Sequence, residues 1–321
     1  MQNIAFLHEL RQTLCWHIEY QAGKAYSAAI RENFRSRTSG GQDSNEGANE
    51  LLVLKAEDRK KMERLHAADF FSGYRSDLMA PLFSKTVVAE DGWRGYWRGL
   101  DKEDRVITLY NVTGAITRNG GGCSMGSISF RDSMIWAADQ EQTIGHMVLI
   151  DSCGGSSFSS NDFAQGIDYA RQKKQPVIAL IDGDCCSAAL HLAVMCDEVY
   201  YVHPKDRIGS VGTMAVFYTN KDGDQHSITQ EIYHERYADI STEKNKMWRE
   251  AADGNMQEID DIISKDAREF AENVKRLRPK TPQEMLSGKT TTCAEAPYWT
   301  NGQSDMTGCI QRILDINKRK K

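Results

Sequence analysis

Residues 176–195 read PVIALIDGDCCSAALHLAVM. Val177 to Asp182 is a β-rich apolar run, Gly183 and Asp184 mark a turn, and Cys186 to Met195 is almost wholly apolar, as a buried helix is. A strand that runs through a small-residue turn into a buried helix is a building block of layered α/β proteins. The flanking sequence has the same texture. VITLYNV (106–112), HMVLIDS (146–152) and EVYYV (198–202) are further short β-rich runs. Between the second of these and Pro176, the spacing predicts a helix capped by Asn161, with Phe163, Ile167 and Ala170 on one face. Alternating strands and helices imply a mostly parallel α/β sheet. Downstream, a long amphipathic helix is expected from Asn245 to Leu277, with Ile259, Ile263, Phe270 and Val274 on its apolar face. A last helix is expected from Met306 to Ile316, before the basic tail KRKK.

The first 100 residues read differently. Ile4, Leu7, Leu10, Leu14 and Ile18 recur at three- and four-residue steps, the spacing of an amphipathic helix. The polar, glycine-containing stretch Ser36 to Asn49 reads as a linker, and a charged helical segment is expected from Leu51 to Phe71. The chain therefore divides into a helical N-terminal extension (1–100), a packing or oligomerisation arm, and an α/β domain (101–321). A length of 321 residues suits that division.

Composition excludes several classes. Lys and Arg number 40 against 45 Asp and Glu, so the net charge of −5 does not suggest a nucleic-acid binder. Mean hydropathy is −0.55, and no apolar run approaches the ~18–20 residues of a transmembrane helix, so a soluble protein with no membrane partner is expected. The N-terminus carries Glu9, Arg11 and Glu19 within its apolar stretch and lacks a small-residue cleavage site, unlike a secretory signal. Eight cysteines without C-x-x-C spacing suggest neither a zinc site nor a disulfide scaffold. Buried reduced thiols in a cytoplasmic, reducing compartment fit best.

Three segments place small or hydroxyl residues at strand ends. In Asp151-Ser-Cys-Gly-Gly155, paired glycines allow a sharp turn that points N–H groups at a ligand, as an oxyanion hole requires. In Gly183-Asp-Cys-Cys-Ser187, a serine lies where a helix N-terminus favours a developing anion. Gly209-Ser-Val-Gly212 is another tight turn after a strand. Each alone is also consistent with a plain turn or a helix cap.

Taken in order, DSxGG, the Gln175-Pro-Val177 strand, the serine turn, a D-x-(I/V)-Y strand and GS(I/V)G resemble the signal peptide peptidase A family of serine peptidases. That family includes soluble phage-encoded relatives that process capsid or scaffold proteins. The resemblance runs over roughly residues 105–315, from VITLYNVTGAITRNGGGCSMGS to MLSGKTTTCAEAPYWTNGQSDM. It implies a β-β-α spiral like those of crotonases and the Clp proteolytic subunit, and a Ser–Lys dyad with no metal or other cofactor. By resemblance the nucleophile is Ser187, the oxyanion donors are amides at Gly154 and Gly155, and Ser210 orients the lysine. A protein or peptide substrate and homo-oligomeric assembly are implied in the same way. In short bacterial relatives the base follows a stretch like I-Y-x-G-A-H-K. Here Ala238 takes the lysine position, and Ser241-Thr-Glu-Lys-Asn245 resembles the S-T-x-K-N of phage-type relatives. That assigns the base to Lys244, with Lys246 as its near alternative and an inactive site as a third reading. The dyad needs a lysine made neutral by burial, since a protonated amine is no base.

Cys153 stands where the family has Pro or Gly. Ala188-Ala-Leu-His191 replaces small residues followed by an aromatic pair. His191, one helical turn past the serine, is expected to pack rather than catalyse. Cys186 has no His and Asn partners to make it a nucleophile. A triad histidine would have to be His203, His226 or His234, and no aspartate spacing supports one. Asn119-Gly-Gly-Gly122 lacks the ending of a phosphate-binding loop. Two other classes remain open: an acyl-CoA enzyme of crotonase type, and a non-catalytic structural or assembly protein on the same fold.

Overall fold

The computed structural model describes residues 16–18, 51–55, 105–120, 126–215, 243 and 246–319. Its strands are β1 (Trp16–Ile18), β2 (Leu51–Lys55), β3 (Val106–Ile116), β4 (Thr143–Ser156), β5 (Val177–Cys186), β6 (Glu198–Tyr201), β7 (Arg207–Gly209) and β8 (Thr290–Thr292). Helices α1 (Ser127–Ala138), α2 (Ser159–Gln172) and α3 (Ala188–Met195) link the central strands, and α4 (Lys246–Ala252), α5 (Gln257–Leu277) and α6 (Met306–Arg319) follow.

All eight strands form one sheet, and its centre, β3-β4-β5, is parallel. β6 and β7 pair in tandem along the same edge of β5, opposite residues 178–181 and 184–186. β1, β2 and β8 join antiparallel. This is the mixed α/β architecture, dominated by parallel pairing, that the alternating apolar runs implied.

Strand periodicity divides the core between two faces. Tyr110, Val112, Val148, Ile150, Val177, Ala179 and Ile181 face one way and pack with Phe130, Phe163, Ile167, Leu190 and Phe270 from α1, α2, α3 and α5. Ile107, Leu109, Met147, Leu149, Ile178 and Leu180 face the other way, against Met306, Cys309, Ile310 and Ile313 of α6. α3 is buried along its whole length, as its apolar sequence required.

Three expectations are corrected. Where helices were expected across Ile18 and from Leu51, Trp16–Ile18 and Leu51–Lys55 are strands; the rest of residues 1–100 lies outside the described residues. The cause is non-local: Leu51–Lys55 pairs residue for residue with Tyr110 to Val106, an edge its own spacing does not reveal. The long helix expected over Asn245 to Leu277 is two helices. Gly254, in the left-handed region at φ 94°, ends α4, and its N–H donates to the Ala251 carbonyl at 3.0 Å. α2 begins at Ser159, two residues before Asn161, and Asn161 makes no capping bond.

Among the described residues, no helix is long and apolar enough to cross a membrane, and no group of three or more His, Cys, Asp or Glu could hold a metal ion. The six described cysteines are buried and carry no disulfide.

Candidate active site

β5 leaves the sheet at Ser187, and the chain turns straight into α3. The turn puts Ser187 in the left-handed region, at φ 57° and ψ −117°, a costly conformation for a residue with a Cβ. Its N–H donates to the Gly209 carbonyl at 2.8 Å, and its carbonyl accepts from the His191 N–H at 2.9 Å. Both ends of the turn are therefore pinned. The Ser187 side chain is 1% exposed, and its Oγ has no hydrogen-bond partner among the described residues. Such orphans are rare in folded proteins because a buried, unpaired hydroxyl costs about 1–3 kcal/mol.

Ser187 has company. Three buried side-chain hydroxyls lack partners among the described residues, Thr117, Ser156 and Ser187, and they lie at the C-terminal ends of β3, β4 and β5. In open α/β sheets this is the edge where ligands bind.

The DSCGG segment runs beside the serine turn. Ser152 stands opposite Cys185 in the parallel register. That is the last pair between the two strands, and Gly154 and Ser187 each follow it by two residues, at the same end of the sheet. Gly154 takes φ 103°. At Gly155 a Cβ would lie 1.9 Å from the Ile116 carbonyl oxygen, so only glycine lets β3 and β4 approach this closely.

Two residues of this segment have roles the sequence reading missed. Ser152 Oγ donates to the Gly114 carbonyl at 2.6 Å and accepts from the Gly154 N–H at 3.1 Å, tying the glycine turn to β3. The Asp151 carboxylate accepts from the Asp184 N–H at 3.0 Å and lies over Gly183, where a Cβ would meet its Oδ1 at 2.4 Å. Burial raises the Asp151 pKa above the ordinary carboxylate value. Arg207 grips the Asp184 carboxylate with Nε at 2.7 Å and Nη2 at 2.6 Å, so the ends of β4, β5 and β7 are cross-linked around the turn.

The GSVG segment comes to the same place. Gly209 (φ 135°) and Ser210 (φ 60°) are both left-handed, and the Ser210 N–H donates to the Lys289 carbonyl at 2.9 Å. Because the Gly209 carbonyl holds the Ser187 N–H, the two turns are locked together. The structure thus brings Ser187, Gly154, Gly155 and the Ser210 segment to one sheet edge.

Lys244 lies outside the described residues, as do Ala238, His226 and His234. Its alternative, Lys246, opens α4 with its ammonium 3.1 Å from the Glu243 carboxylate. That contact raises the Lys246 pKa, the wrong direction for a base. His191 is buried and stacks on Phe270 with ring centroids 4.6 Å apart. His203 is largely exposed, 3.6 Å from Asp182.

No family model matches this chain. A head-tail preconnector protein, GP5 of Enterobacteria phage P21, is 35% identical over 113 residues; the match covers 34% of this chain and 22% of that protein. Similar solved structures include the membrane-bound stomatin-specific protease 1510-N in mutant form, at 14% identity over 65% of this chain and 82% of that one, with a TM-score of 0.37. An enoyl-CoA hydratase/isomerase family protein from Silicibacter pomeroyi is 14% identical over 65% of this chain and 77% of its own, with a TM-score of 0.38. Likenesses this loose leave the chemistry to the residues themselves.

Proposed function

We propose that the chain is a serine endopeptidase working through a Ser187–Lys244 dyad, acting on a soluble protein of a phage particle and assembling as a homo-oligomer. The observation that carries this reading is Ser187 itself: a buried hydroxyl without a partner, on a strained turn beside a pair of glycines, at the edge of the sheet where ligands bind.

In this mechanism the Lys244 amine takes the Ser187 Oγ proton as Oγ attacks the peptide carbonyl carbon. The charge on the tetrahedral oxygen is met by amides at Gly154 and Gly155. For Gly154 this requires its N–H to leave Ser152 Oγ for the substrate. The amine leaving group then takes the proton from Lys244, and water hydrolyses the Ser187 ester. Ser210 orients Lys244. No metal, nucleotide or acyl-CoA takes part.

A non-catalytic assembly role is the second reading, and the partial likeness to a phage head-tail preconnector protein favours it. Fluorophosphonate labelling of the purified protein between pH 7 and 10, read by mass spectrometry, separates the two. An adduct on Ser187 that is lost in Lys244→Ala supports the peptidase. A folded protein with no adduct at any of these pH values overturns it in favour of assembly.

A further inference from the structure

At its C-terminal end β4 is paired along both edges. β3 holds one edge, with Ala115 opposite Gly154 and Ile116 opposite Gly155. β5 follows the other edge as far as Cys185, opposite Ser152, and then departs at Ser187 into α3. Beyond that point the second edge would be a row of open main-chain groups. β1 fills it, antiparallel, with Ile18 opposite Gly154, His17 opposite Gly155 and Trp16 opposite Ser156.

The direction of β1 matters. Because it runs against β4, its last residue, Ile18, takes the register position beside the Ser187 turn. An extended peptide delivering a carbonyl to Ser187 and Gly154 would bind by strand addition to the same stretch of β4. We infer that Trp16–Ile18 is a built-in occupant of the peptide lane, an internal competitor that a substrate must displace. The regulatory meaning rests on the peptidase reading above; the occupancy does not. Two features of the site match a closed state: Ser187 is buried, and the Gly154 N–H is held by Ser152. A tethered segment competes at an effective concentration on the order of millimolar, so weakly binding peptides are shut out.

The test uses the full-length chain carrying His17→Pro/Ile18→Pro. Neighbouring N–H groups of a strand alternate in direction, so one of the two prolines must remove a donor aimed at β4. Two readouts are independent of catalysis. Hydrogen exchange at Gly154–Ser156 should quicken at least tenfold in the variant. A fluorescent synthetic peptide of residues 13–20 should bind the variant at least tenfold more tightly than the unaltered chain. Unchanged exchange, or equal peptide affinity, overturns the inference. Casein hydrolysis, followed in parallel, should show a lower KM in the variant at unchanged kcat. Faster exchange with an unchanged KM overturns the inhibitory role. Hydrolysis that survives Ser187→Ala, or is absent from both proteins, counts against the peptidase reading and leaves the occupancy to the first two measurements.

Discussion

His146 and Ser187 are both buried polar side chains on or at the end of the central strands, but the fold treats them in opposite ways. His146, in the body of β4, is fully partnered: Thr108 Oγ1 lies 2.6 Å and the Tyr110 hydroxyl 3.2 Å from Nδ1, and Nε2 donates to Gln175 Oε1 at 2.8 Å. Gln175 in turn donates to the Ala138 and Thr143 carbonyls. Ser187, where β5 ends, has a strained backbone and an Oγ with no described partner. A satisfied network rigidifies a core. An unsatisfied group held under strain marks a place where stability has been given up for something else. Burial is the same in both; partnership tells them apart.

That contrast can be broken most directly by Ser187→Ala. Removing an orphan hydroxyl should raise the urea midpoint, by up to about 1–3 kcal/mol in stability, while hydrolysis of a protein substrate falls at least about a thousandfold; a loss of stability instead would make Ser187 a structural residue like His146. Lys244→Ala should cost at least about a hundredfold in fluorophosphonate labelling of Ser187. Lys246→Ala, which removes only an exposed partner of Glu243, should change it less than about twofold. If the two lysines exchange these effects, the base is Lys246.

His146 should show the reverse pattern. His146→Ala strands Thr108, Tyr110 and Gln175, and should cost about 2–4 kcal/mol by urea unfolding while the fluorophosphonate still reaches Ser187. Burial lowers the His146 pKa to about 4. The folded protein therefore resists protonation that the unfolded chain accepts near 6.5. The stabilisation is complete above pH 6.5 and is lost as pH falls toward 4, by up to about 3 kcal/mol. A urea series across that window should show the loss in the parent and not in His146→Ala. The smallest effect expected is from Ser187→Gly: relief of the left-handed backbone should raise stability by about 0.5–1 kcal/mol while abolishing labelling.

The parallel core was legible in the sequence because β3, β4, β5 and α3 are buried apolar runs bounded by turn residues, a local signal. β2 was misread because its identity depends on pairing with β3 across some fifty residues of chain. α1 escaped notice because Ile128, Ile135 and Trp136 put apolar residues around the rest of the helix and blur the helical spacing of its buried positions, Phe130, Met134, Ala137 and Ala138. Ser187, Gly154 and Ser210 could be picked out because a strand-turn-helix leaves small residues in order. Ser152 could not, since its value lies in reaching the Gly114 carbonyl on a strand that only the sheet brings alongside.

Among the described residues, the apolar face formed by Ile107, Leu109, Met147, Leu149, Ile178 and Leu180 is closed by one helix, α6, which begins more than a hundred residues after Leu180. On a ribosome adding roughly 5–20 residues per second, α6 reaches that face on the order of ten seconds after the strands have been made. During that interval the apolar surface that α6 will cover lacks that cover, and chaperones or sister chains can grasp it. Completion of this fold is therefore a late event in synthesis, timed by the arrival of Met306 to Ile313.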